Sequence, residues 1–211
     1  MTQERKLAGF HGVDLRGLGS VVLAGGPEHK VEVEAPEDLQ DRVRAEVQGG
    51  ILVIGVRWWL GALFRAVELS EMVIRVTIPE LRELRLSGAG RMHSEGTLKL
   101  VDIDLRLTGA GRLSLDLEAR RVEARLSGAG AVELSGTAEE LEIRLTGAGA
   151  LRAEGLHVRR AYVKTSGAGE CRVHATEALE AQVSGAGSVR YRGKPRVESR
   201  ISGAAKLLPL D

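Results

Sequence analysis

Apolar and polar residues alternate one by one in short stretches that recur through the chain from about residue 81 onward. Examples are VDIDLRL from residue 101, RVEARL from 121, LEIRL from 141, LEAQV from 179 and RVESRI from 196. Strict alternation over four to eight residues is typical of a β-strand with one buried face. No repeat has room for a helix beside its strands, so the pattern predicts an all-β protein.

Each of these stretches leads into a variant of the motif SGAG. The serine or threonine of the seven copies is Ser87, Thr108, Ser127, Thr146, Ser166, Ser184 and Ser202, in steps of 18 to 21 residues. A repeat of roughly 20 residues built from strands is typical of a solenoid. The sequence therefore predicts a single-stranded parallel β-helix, or β-solenoid, of about seven coils with about 20 residues each.

Stacked coils place equivalent residues in columns, and the residue before each serine or threonine predicts a buried aliphatic column. Its members are Leu86, Leu107, Leu126, Leu145, Thr165, Val183 and Ile201. The same periodicity makes Cys171 a small core residue. The two glycines of each motif permit a sharp corner, and we expect the alanine between them to be small so that the corner closes. A phosphate-binding loop is disfavoured, because the third fingerprint glycine and a following helix are both missing.

Charged residues form two further columns that point away from the core. The basic column holds Arg85, Arg106, Arg125, Arg144, Lys164, Gln182 and Arg200, and the acidic column holds Glu83, Asp104, Glu123, Glu142, Tyr162, Glu180 and Glu198. Opposite charges in adjacent columns predict a charged lattice on one flat face, either a solvated surface or one that contacts polyanions. With 30 basic and 29 acidic residues, the chain has no overall attraction for nucleic acid.

Residues 1–80 are β-rich but less regular, and we expect them to form a capping portion continuous with the regular solenoid of residues 81–211 in one structural domain. The segment RWWLGALFRA at residues 57–66 carries both tryptophans. Its bulky side chains are Trp58, Trp59, Leu60, Leu63 and Phe64. They predict either a cap over the first coil or an exposed contact for a partner subunit or membrane surface.

Candidate chemistry is sparse. The five histidines show no ligand spacing and Cys171 is the single cysteine, so we expect no metal, no cofactor and no catalytic group. Basic side chains share two outward columns near the end of the chain: Arg152, Arg172 and Arg190 in one, His174 and Arg192 in the next. They predict an anion or glycan patch, with an ordinary solvated face as the alternative.

The order of the strand-like stretches and the recurring SGAG resemble a bacterial family known as putative auto-transporter adhesin, head GIN domain. The resemblance begins near GFHGVDLRGLGSVVLAGGPEHKVEVEAPEDL, continues through GGILVIGVR and RVTIPELRELRLSGAG, and ends with LEAQVSGAGSVRYRGKPRVESRISGAAK. It implies a right-handed parallel β-helix without a catalytic motif. It also implies a place in the cell envelope or outside the cell if a leader was removed. The sequence as given, with no signal peptide and no apolar run long enough for a membrane span, is otherwise expected in the cytoplasm.

These observations favour a non-enzymatic binding or scaffold module of the adhesin type, whose partner is a surface glycan or a protein. The alternative is a structural protein that dimerises or polymerises through its coil ends, since the last repeat has no helix to cover its final strands. A polysaccharide-active β-helix enzyme is a third possibility. It is disfavoured, because the coil lengths leave no long loops to wall a catalytic groove.

Overall fold

The computed structural model describes residues 1–56 and 72–210, and most of these residues lie in strands. The strands are β1 (Thr2–Arg5), β2 (Gly12–Gly17), β3 (Ser20–Gly25), β4 (Lys30–Glu34), β5 (Val43–Gln48), β6 (Ile51–Val56), β7 (Val73–Ile78), β8 (Glu83–Gly88), β9 (Arg91–Lys99), β10 (Asp102–Gly109), β11 (Arg112–Gly128), β12 (Ala131–Gly147), β13 (Ala150–Gly167), β14 (Glu170–Gly185), β15 (Ser188–Arg192), β16 (Arg196–Gly203) and β17 (Lys206–Pro209). One short helix, α1 (Glu37–Gln40), lies between β4 and β5. No helix among the described residues has the length and apolar character needed to cross a lipid bilayer.

The strands stack in two rows that meet at the SGAG corners. The front row contains β5, β6, β2, β8, β10, the second halves of β11 to β14, and β16. The back row contains β1, β4, β7, β3, β9, the first halves of β11 to β14, β15 and β17. All of these pairings are parallel except β1–β4, β4–β7 and β5–β6. The predicted β-solenoid of about seven turns, with a less regular N-terminal part, is confirmed.

The stacking order departs from the chain order near the N-terminus. β2 pairs with β6 on one side and β8 on the other, and β3 likewise lies between β7 and β9. The coil of β2 and β3 therefore lies between the coil of β6 and β7 and the coil of β8 and β9. After Gly25 the chain adds β4 to β7 on the N-terminal side of the β2–β3 coil, and the connection from β7 to β8 then passes this coil to reach its other side. This detour shapes a groove that is described below.

The core is a set of inward columns held in register by the parallel ladders. Leu107, Leu126 and Leu145 are consecutive register partners and are all buried. Ile201 occupies the same column in β16 but is 47% exposed, because no described strand lies beyond β16 to cover it. The predicted aliphatic column is thus buried in the inner coils and open at its last member.

The SGAG corners are closed by backbone hydrogen bonds between successive coils. The amide of Ala129 donates to the carbonyl oxygen of Gly109 at 2.9 Å, and the same bond recurs at the equivalent corners. Gly130 is buried, and a Cβ atom there would lie 2.4 Å from Leu107. Ala129 itself is exposed. The expectation that the alanine must be small is therefore wrong, since the space is limited at the glycines that flank it.

An eighth corner precedes the seven found in the sequence. Gly17 pairs with Gly88, and Gly19 accepts a hydrogen bond from the amide of Arg91 at 2.8 Å. The stretch RGLGS at residues 16–20 thus forms the same bend with a leucine in place of the alanine.

The candidate contact residues Trp58, Trp59, Leu60, Leu63 and Phe64 lie outside the described residues, in the segment that joins β6 to β7.

Candidate functional site

A groove of about 1020 Å³ lies at the corner opposite the SGAG motif, where the back row turns into the front row. We call it the corner groove. Its wall nearest the N-terminus is Pro79–Arg82, and its floor is the turn from β9 to β10, residues Lys99–Asp104. The next two coils complete it with Glu118, Ala119, Arg121, Glu123 and Thr137. The corner groove therefore crosses several coils along the length of the rod.

The corner groove exists because β3 is shorter than β9, the strand stacked on it. β9 pairs with β3 only through Arg91–Ser94, whereas its later residues pair with β11 alone among the described strands. The connection Pro79–Arg82 forms the facing wall, and it meets the floor at Arg82, whose carbonyl oxygen accepts a hydrogen bond of 3.0 Å from the Asp104 amide. On the other side the corner is firmly held, since Leu100 donates its amide to Glu118 at 2.8 Å and Arg120 donates to the Val101 carbonyl at 2.8 Å. The floor is consequently a rigid turn with one open edge.

The corner groove combines an exposed apolar floor with charged walls. Val101 is 67% exposed and Leu100 beside it is half-buried, so the floor presents apolar surface to solvent. On the wall, the Arg82 guanidinium lies 2.7 Å from the Glu80 carboxylate. Arg120 forms an ion pair with Asp102 at the floor. These ion pairs place carboxylate and guanidinium groups around an apolar patch.

Sequence reasoning missed this groove because it searched for long loops. The groove arises because the pairing of β3 with β9 ends before β9 does, and the coil lengths do not record this. One local signal was present. Leu100 and Val101 are adjacent apolar residues, and they interrupt the alternation in LKLVDIDLRL at residues 98–107. Two neighbouring apolar residues cannot both face the core of a strand, so one of them had to be exposed or at a turn.

The charged lattice predicted for the front row is present as a network of ion pairs. Arg106 lies 2.8 Å from Asp104 on its own strand, and Arg125 of the next strand lies 2.8 Å from the same carboxylate. Burial raises the pKa of the Asp104 carboxyl. The hydrogen bonds from Arg106 and Arg125 outweigh that effect, so the pKa lies below its usual value. The pattern continues with Arg85–Glu83 at 2.6 Å and Arg144–Glu142 at 2.8 Å.

The arginine column predicted as an anion patch is assembled on the back row. Arg152, Arg172 and Arg190 are consecutive register partners on β13, β14 and β15. Each is ion-paired: Arg152 with Glu133 at 3.0 Å, Arg172 with Glu170 at 3.1 Å, and Arg190 with Glu170 at 2.8 Å. Because carboxylates neutralise the column, its charge does not favour a polyanion. The anion patch stays a prediction.

The other predicted column contains a pair that the sequence did not reveal. His174 is the register partner of Arg192, as expected, and also of His157 on the preceding strand. The two imidazole rings stack with their centroids 4.2 Å apart and their planes tilted by 44°. Burial, followed by the neighbouring His157, lowers the pKa of His174. Spacing along the chain hid this pair, since the two histidines lie 17 residues apart and meet only when the coils stack.

Cys171 is fully buried between Leu151 and Val189 in the core of the back row. Burial raises the pKa of its thiol strongly. This is the environment of an inert structural cysteine, as the column analysis expected. Within residues 1–56 and 72–210, no group of three or more His, Cys, Asp or Glu side chains is arranged to hold a metal ion.

The family model described as "Putative auto-transporter adhesin, head GIN domain" matches residues 9–195. The chain belongs to this family. The resemblance stated from the sequence is thereby confirmed, and the match includes six of the seven SGAG motifs. No curated protein matches the sequence.

Solved structures with the same fold support this placement. A putative adhesin from Bacteroides fragilis superposes with a TM-score of 0.90 at 22% identity. A putative adhesin from Parabacteroides distasonis gives 0.79 at 21%, and a putative lipid binding protein from the same species gives 0.76 at 20%. In each case all of this chain and 96% of the other chain are covered. At these identities the likeness shows the fold alone.

Proposed function

We propose that this head GIN domain is a non-enzymatic binding module of the adhesin type, and that the corner groove is its ligand-contacting surface. The observation that carries the proposal is Val101, a large aliphatic side chain that is 67% exposed on a turn held by backbone hydrogen bonds to β11. Exposed apolar surface rimmed by polar groups commonly marks a contact site. A rigid turn lowers the entropic cost of binding, because little order has to be gained.

We propose a surface glycan as the ligand. The corner groove presents carboxylates and guanidinium groups that are held by ion pairs, such as Glu80 with Arg82 and Asp102 with Arg120. Held in this way, they offer hydrogen-bond acceptors and donors at fixed positions for sugar hydroxyls. The apolar carbons of Pro79, Leu100 and Val101 offer a surface for the C–H face of a sugar ring. A volume of about 1020 Å³ is ample for several sugar units.

A glycan array probed with the whole chain tests this proposal. We expect binding to a defined subset of neutral or weakly charged glycans, and we expect Val101→Arg to weaken it at least about tenfold. Leu208→Arg is the matched control, since Leu208 is also an exposed aliphatic residue but lies on β17, away from the corner groove. Equal loss in both variants, or no glycan bound by the unaltered chain, would contradict the proposal. Bound glycans recovered intact, without new reducing ends, would agree with a non-enzymatic role.

Self-association through the coil end is a second proposal, and the exposure of β16 supports it. Every residue of β16 is exposed, and Val197 and Ile201 present the apolar column that inner coils bury. An unpaired edge with exposed apolar residues is a template for another strand. Light scattering on the eluted peak of a size-exclusion column should then report a dimer or larger species, and Ile201→Lys should restore the monomer. A monomer at high protein concentration for the unaltered chain would exclude this mode of assembly.

A further inference from the structure

The stacked imidazoles of His157 and His174 lie on neighbouring parallel strands of the back row. His157 is exposed on β13 and His174 is partly buried on β14. Neither ring is needed to close the core, whose inward columns at this level are aliphatic. The pair is open to solvent, and nothing in the proposed glycan contact uses it.

A β-bulge brings the two histidines together. Between β13 and β14 the register runs from Ala153 with Val173 directly to His157 with His174, so Glu154–Leu156 have no partners in that ladder. Without these extra residues, His157 would not face His174. Bulges commonly re-aim a side chain at a functional position. Here the bulge places two nitrogen ligands side by side on a stiff sheet.

The backbone of Glu154, the first residue of the bulge, lies beside the His174 ring. Metal-ligating histidines usually donate one ring N–H to a neighbouring oxygen, which leaves the other ring nitrogen free to bind the ion.

We propose that His157 and His174 form a binding site for a single divalent transition-metal ion of the type that prefers imidazole ligands, with Cu²⁺ bound most tightly. Two nitrogens that each lie about 2.0–2.1 Å from one metal ion at roughly 90° place their ring centroids about 4–5 Å apart. The observed separation of 4.2 Å fits this arrangement. No third His, Cys, Asp or Glu among the described residues completes the set, so water fills the remaining positions.

The charges around the pair set its affinity. Arg192 is the register partner of His174 on β15 and places a positive charge beside the site. The carboxylate of Glu154, in the bulge, is ion-paired with Arg172 at 3.4 Å. The local field therefore opposes a cation, and we expect a site that depends on both histidines. Arg192→Gln, which removes the opposing charge, should tighten binding.

Titration of the whole chain with Cu²⁺ in a non-coordinating buffer tests the inference, with calorimetry for stoichiometry and affinity. Electron paramagnetic resonance then identifies the nitrogen ligands. We expect one ion per chain, a spectrum with two equivalent imidazole nitrogens, and at least about a tenfold loss of affinity in either His157→Ala or His174→Ala. His93→Ala is the matched control, because His93 is an exposed histidine of the back row on β9.

Far-ultraviolet circular dichroism shows whether each variant keeps its fold. His157→Ala alone suffices for the test if His174→Ala does not fold, since His157 is exposed. Affinity unchanged in His157→Ala, or lost equally in His93→Ala, would overturn the proposal. So would a spectrum with a single nitrogen ligand, which would place the ion at another histidine or at the amino terminus.

Discussion

The amide of Ala129 donates a hydrogen bond of 2.9 Å to the carbonyl oxygen of Gly109 in the preceding coil. The two coils approach so closely at this corner that a Cβ atom on Gly128 would lie 2.6 Å from the same oxygen. Gly128 also has a φ of 115°, where other residues are strained. Glycine is therefore required before the alanine for two reasons: the positive φ angle, and the lack of space for a Cβ atom beside the Gly109 carbonyl oxygen.

We expect Gly128→Ala to lower the free energy of unfolding by about 2 kcal/mol or more, because strain and a backbone clash add. Chemical denaturation followed by circular dichroism measures this loss. Ala129→Ser is the matched control at the adjacent position, and its exposed side chain predicts a change within about 0.5 kcal/mol. A Gly128→Ala variant as stable as the unaltered chain would show that the corner can open.

The corners and columns could be predicted from sequence because each coil repeats the same local constraint. Leu107, Leu126 and Leu145 are spaced by the coil length, so stacking follows from the period alone. The need for a small residue falls on the glycines and not on the alanine. The sequence shows a small residue at position 129 and at the equivalent positions, but it does not show which way that side chain points. The direction of a side chain at a bend depends on the backbone angles. The corner glycines have positive φ angles, which the spacing of the repeats does not specify.

The lattice on the front row predicts a pH-dependent contribution from Asp104. Hydrogen bonds from Arg106 and Arg125 hold the pKa of Asp104 below its unfolded value despite burial. A lowered pKa stabilises the fold above the unfolded pKa of about 3.9 and loses that contribution as the pH falls through the folded value. We expect Asp104→Asn to cost about 1 kcal/mol at pH 7, because the carboxylate is partly exposed.

Unfolding curves for Asp104→Asn and the unaltered chain should therefore converge at acid pH. Glu95→Gln, on the exposed turn of β9, is the control and should change stability little at any pH. A difference between Asp104→Asn and the unaltered chain that persists below the folded-state pKa would mean that shape, and not charge, accounts for the effect.

Replacement by alanine should destabilise the protein to different extents along one column, because the last member of the column is exposed. Leu126 is buried between Leu107 and Leu145, and Leu126→Ala should cost about 2–5 kcal/mol through lost burial and the cavity left behind. Ile201→Ala at the open end of the column should cost less than about 1 kcal/mol, because Ile201 is already 47% exposed. Thermal unfolding of both variants compares them directly. Equal costs would indicate that a second chain covers β16 in solution.

The groove and the histidine pair lay beyond sequence reasoning for a different reason. Both depend on where strands of unequal length meet. β9 runs past the end of its pairing with β3, and the bulge Glu154–Leu156 shifts His157 into line with His174. The length of a sequence repeat does not show where extra residues lie within a coil. The histidine spacing along the chain therefore did not reveal a histidine pair that stacking of the coils creates.

Burial of Cys171 predicts that its thiol does not react while the chain is folded. Its side chain is fully buried, and burial together with the carboxylates of Glu154 and Glu170 raises the thiol pKa. Because the thiolate is the reactive form, we expect no reaction with an aromatic disulfide reagent at pH 8 until the chain unfolds, and one equivalent in denaturant. Ala129→Cys in a Cys171→Ala background is the control, and its exposed thiol should react at once. Rapid labelling of Cys171 in the native chain would mean that the back row opens locally near β14, where the coil beyond it ends in the short strand β15.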